Sequence, residues 1–132
     1  MNWYTNSNTQ IKLAQTPQIP LTPEKIKILQ GLVSNIAFLA SWNMMHLDSY
    51  ATTPEAKANI KEVINYMVGI GKTLEALDRN NRGQLERNKD NIINIAKQVL
   101  NYVLPILKTN LPNKIPPTIP KIQELLNSYE LV

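Results

Sequence analysis

Twenty consecutive residues, 28–47 (ILQGLVSNIAFLASWNMMHL), contain no Lys, Arg, Asp or Glu. A helix of that length is long enough to cross the hydrocarbon core of a bilayer. The run also carries Gln30, Ser34, Asn35, Ser41, Asn43 and His46, whose polar groups make lipid a poor environment. A helix buried at the centre of a protein core satisfies both observations. The chain is therefore expected to fold as an all-α protein around this segment, with no membrane partner.

The helix starts are marked by a repeated signal. Thr-Pro-Glu occurs at 22–24 and again at 53–55. In each, the Thr hydroxyl can accept from an orphan backbone N–H, Pro suits the first helical position, and Glu complements the positive helix end. The two signals share capping only, because the residues after them differ in apolar register, so no internal repeat is read.

From the first signal a helix is expected over 23–48, roughly 39 Å long at 1.5 Å per residue. Lys27, Ser34, Ser41 and Asp48 recur every seven residues, with Gln30 and Ala37 on the same side. That leaves a narrow polar stripe on a helix that must touch more than one neighbour. A second helix, 54–79, carries Ile60, Val63, Ile64, Met67, Ile70, Leu74 and Leu77 at amphipathic spacing. A loop with Asn80, Asn81 and Gly83 follows, then a third helix with the stripe Leu85, Ile92, Ile95, Ala96, Val99, Val103 and Ile106. Pro105 should kink or end it near Asn101, since proline lacks an N–H and clashes with the preceding turn. Four prolines within 110–120 suggest an extended connector, and 121–129 reads as a short last helix with Ile122, Leu125, Leu126 and Tyr129 on one face.

These elements give one domain, 22–132, built as a bundle of three long helices closed by a short fourth. An extended arm, 1–21, precedes it, with two prolines and no helical period. The expected core comprises Leu29, Leu32, Val33, Ile36, Leu39, Trp42, Ile60, Ile64, Met67, Leu74, Ile92, Ala96, Val99, Val103 and Leu125.

No catalytic, cofactor or metal site is expected. The chain has no cysteine, which excludes disulfides, thiol catalysis and Cys-based metal sites. His46 is the only histidine, and Asn43 stands three positions before it, so neither a His pair nor a Glu-x-x-His ligand set exists. His46 is read instead as a helix-end residue. Gly71-Lys72-Thr73 matches the end of a phosphate-binding loop, but Tyr66 occupies the position of that motif's first glycine and the flanking pattern is helical. Gly69 and Gly71 are better explained as thinning the second helix for a close neighbour. The carboxylates Glu75, Asp78, Glu86 and Asp90 have the spacing of solvated helix faces.

Two features point to partners. Trp3 and Tyr4 stand as an aromatic pair in an otherwise polar arm and can anchor either on the chain's own core or in a neighbouring subunit. Arg79, Arg82 and Arg87, all the arginines of the chain, gather with Lys89 about one helix-helix turn, where they offer phosphate or carboxylate contacts. The net charge is only +4, Asp78, Glu86 and Asp90 interleave with the basic residues, and no aromatic residue stands among them to stack on bases.

The functional expectation is a non-enzymatic structural or adaptor subunit of a larger assembly. Its partners would be other protein subunits, copies of itself included. The alternative is a small basic nucleic-acid-binding or regulatory protein that uses the 79–89 turn. The start MNWYTNSNTQ lacks both the basic and the apolar region of a signal peptide, so a cytoplasmic site, or a particle assembled in the cytoplasm, is expected. Abundant Asn, Ile and Lys, all encoded by AT-rich codons, suggest a low-GC genome such as that of bacteria and their phages.

Overall fold

The computed structural model describes residues 21–77 and 81–132; residues 1–20 and 78–80, and the side chains of Trp42, Asn43 and Arg82, lie outside that description. All regular elements among the described residues are helical. In chain order they are α1 (Pro23–Phe38), α2 (Pro54–Glu75), α3 (Arg82–Arg87), α4 (Lys89–Gln98), α5 (Leu104–Asn110) and α6 (Thr118–Leu131). The all-α expectation holds.

Both Thr-Pro-Glu signals cap as expected. Thr22 Oγ1 accepts from the Lys25 N–H at 3.2 Å and Thr53 Oγ1 from the Ala56 N–H at 3.1 Å, with proline at the first helical position each time. A third cap comes from Asn81, whose side-chain oxygen accepts from the Gln84 N–H at 3.2 Å. Gly83 thus lies in the first turn of α3 and not in the preceding loop.

The first helix is shorter than its pattern suggested. After Phe38 the chain widens into a π-helical turn, Leu39–Asn43, closed by a 3.0 Å bond from the Met44 N–H to the Leu39 carbonyl, and a 3-10 turn, Leu47–Tyr50, follows. The wide turn advances the register by one residue. In a straight helix Met44 would fall seven positions after Ala37, on the side of the polar stripe. Here Met44 is fully buried, and Leu47 and Ala51 join the core behind it. Lys27, Ser34, Ser41 and Asp48 are all exposed, but only Lys27 and Ser34 share α1; Ser41 lies in the π-helical turn and Asp48 in the 3-10 turn beyond it. Among the described residues no helix is long and apolar enough to cross a membrane.

The third helix neither ends at Asn101 nor runs unbroken. Asn88 interrupts it between α3 and α4, and its side-chain N–H donates to the Gln84 carbonyl at 2.8 Å. A second π-helical turn, Val99–Val103, closed by the Leu104 N–H on the Val99 carbonyl, then delivers Pro105 as the second residue of α5. Near a helix start the missing N–H leaves no partner unsatisfied, so the chain stays helical to Asn110. The connector to α6 is also tighter than expected. It turns at 112–113, where the Lys114 N–H meets the Leu111 carbonyl, and Pro116 is buried. The last helix starts three residues early, at Thr118, with Pro120 in its first turn.

α1 is the central element. It packs most extensively along α6 and also touches α2, α3 and α4. Gly31 allows the α1–α6 approach: a Cβ there would stand 3.2 Å from Leu125 Cδ1. Of the expected core, Trp42 lies outside the described side chains, Ile64 and Leu125 are half-buried against the core, and the rest are buried. Ile26, Met44, Leu47, Leu85, Leu107, Leu111 and Ile119 are buried in addition.

Candidate functional site

α2 closes on α5 but stands apart from α4. The opening is a cleft of about 850 Å³ that runs beside Asn65 to Leu77 on one wall and Asn88 to Gln98 on the other. Where the walls converge, the Tyr66 ring meets Tyr102 edge-on, with centroids 4.8 Å apart and planes at 61°.

The helical period sorts the cleft into floor and rim. Ile70, Leu74, Ile92 and Ile95 point inward, with Leu74 and Ile92 buried and the other two half-buried. Asn65, Asn91, Asn94 and Gln98 stand exposed at the edges, and half-buried Asn88 marks one end. Gly69 lies open on the α2 wall, where a Cβ would meet nothing within 4 Å. The expectation that both glycines admit a close neighbour therefore holds for Gly71, whose Cβ would stand 3.2 Å from Ala40 Cβ, and fails for Gly69.

Electrostatically the described lining is neutral. Among the described residues that line it there is no carboxylate, lysine, arginine or histidine. The one titratable group among the described lining residues, the Tyr66 phenol, is pushed above the ordinary tyrosine range, first by burial and then by Tyr102. The phenol stays protonated at neutral pH, a hydrogen-bond donor and acceptor. Primary amides likewise present one acceptor and two donors each without titrating. Such a lining is equipped to recognise uncharged surface, and it supplies no group suited to moving a proton at neutral pH.

The residues singled out in the sequence lie elsewhere. Trp3, Tyr4 and Arg79 fall outside the described residues, as does the Arg82 side chain. Arg87 is exposed at the end of α3. Lys89, at the start of α4, pairs with Asp90 at 3.2 Å in an exposed contact of the kind that contributes little to stability. Lys72 is exposed on α2, inside a continuous helix and not in a phosphate loop. His46 sits in the turn after the first π segment, exposed, and its backbone carbonyl accepts from Ser49. Among the described residues no three His, Asp or Glu side chains are grouped so as to hold a metal ion.

No charged residue marks the cleft in the sequence, and its described lining includes one aromatic residue, Tyr66. A signal existed: Asn88, Asn91, Asn94, Gln98 and Asn101 recur at three- and four-residue spacing and form an amide stripe beside the apolar one. The chain matches no family model, no curated protein and no solved structure.

Proposed function

We propose that this protein is a non-enzymatic helical subunit of a protein assembly and that the α2–α4 cleft is its contact surface for an uncharged polypeptide segment. The observation that carries this reading is the uncharged described lining, an apolar floor edged by a row of amides on α4 and by Asn65 on α2. Apolar side chains of a bound segment would leave water on the floor. The amides would meet its peptide N–H and C=O groups, which cannot be buried without partners. A charged segment would be disfavoured, since no opposite charge among the described lining residues offsets its loss of hydration. The size of the cleft falls within the range of roughly 300–1,000 Å³ typical of binding pockets.

The test is the double variant Asn91→Lys/Asn94→Lys. Both positions are exposed on α4 and lysine is a better helix former than asparagine, so the fold should survive. Light scattering on the full-length wild type is expected to show a nucleic-acid-free particle heavier than the 15.0 kDa chain, and on the variant a mass of one chain. A wild-type mass retained by the variant would remove the cleft from the assembly. Nucleic acid co-purifying with the wild type, seen in the 260/280 nm absorbance ratio, would favour the turn at Arg87 and Lys89 instead.

A further inference from the structure

Resting on that reading, we infer that the segment received by the cleft is the N-terminal arm, residues 1–20, of a second copy of the chain, anchored by Trp3 and Tyr4. The composition matches. The arm carries a single charged side chain, Lys12, among Asn, Thr, Gln, Ile, Pro and its aromatic pair, and the described cleft lining carries none. An aromatic pair supplies the large apolar area that an isoleucine and leucine floor rewards, with polar atoms left for the amides.

The attachment point sets the base of the arm beside one end of the cleft. The described chain begins at Leu21, whose N–H donates to the Glu86 carboxylate at 3.2 Å. That tie holds the base of the arm on α3, two residues before Asn88 at the end of the cleft. From Asn88 to Gln98 the α4 wall is about 15 Å long. An arm entering its own cleft directly would fill that length with the four or five residues next to Leu21. Trp3 precedes Leu21 by eighteen positions, a tether of up to about 60 Å. That reach extends to the cleft of an adjoining copy, which is the occupancy that the assembly reading calls for.

The absence of cysteine makes the test direct, because introduced thiols are the only ones present. Full-length Thr5→Cys is mixed with full-length Thr73→Cys, an exposed position beside the cleft, and, separately, with Glu124→Cys on the outer face of α6. After mild oxidation, mass spectrometry is expected to find the 5–73 linkage in yield about tenfold or more above the 5–124 linkage, since docking raises the local thiol concentration. Equal yields would overturn the inference. The double variant Thr5→Cys/Thr73→Cys is expected to give covalently joined chains, and closure within single chains would overturn the assignment to a neighbour. Light scattering on the wild type separates this inference from the reading beneath it. An oligomer that fails to form the 5–73 linkage removes only the arm as occupant, whereas a monomer removes both.

Discussion

Met44→Lys is expected to lower the stability of the fold by about 4 kcal/mol or more, the range reached when an unpaired charge is forced into a core. The expectation depends on the π-helical turn at Leu39–Asn43. With it, Met44 is fully buried beside Leu47 and Ala51. Without it, position 44 would sit above Ala37 on the polar side of a straight helix, and lysine there would change stability by no more than about 0.5 kcal/mol. Urea unfolding followed by helical circular dichroism distinguishes the two, with the midpoint compared at constant slope. A typical domain of this size has only about 5–15 kcal/mol in hand, so the variant should be close to its folding threshold at room temperature.

Substituting the two glycines of α2 should give effects of opposite sign. At Gly71 a Cβ stands 3.2 Å from the Ala40 Cβ, an atom fixed to its own backbone and unable to rotate away. Gly71→Leu must therefore push α2 from the first π-helical turn, at a cost of about 1–3 kcal/mol for overpacking. The gain in helix propensity, about 1 kcal/mol, offsets only part of it. At Gly69 the same Cβ meets open space. Gly69→Ala should raise stability by about 0.5–1 kcal/mol. Thermal melts of both variants check the pair, and a stabilised Gly71→Leu would mean that the helices do not approach as closely as described.

These positions show what a sequence of this kind discloses. Threonine caps, the polar stripe of α1 and most of the core follow from local rules, because a hydroxyl, a proline and a 3.6-residue period act within a few positions of themselves. The π-helical turns do not. No glycine or proline marks the first, and the register in which Met44 is buried is defined only by its folded neighbours. The second lies before Pro105, where the sequence announced a disturbance but not its form. Gly31 and Leu125 are close in space and 94 positions apart in the chain, so their contact has no local signature. The cleft is legible only in part. The amides of α4 stand in the sequence as a periodic stripe, but their facing Asn65, Gly69 and Ile70 requires that α2 and α4 diverge, which is a property of the assembled bundle.

The measurement that most directly tests the cleft as a contact surface is hydroxyl-radical footprinting of the unmodified full-length protein over a dilution series. Concentration should slow oxidation at Tyr66, Ile70, Leu77 and Ile95, which line the cleft, and leave Met45 and Leu131, 58% and 86% exposed, unchanged. Oxidation rates at the cleft residues that do not vary with concentration, or that fall together with those of Met45 and Leu131, would contradict it.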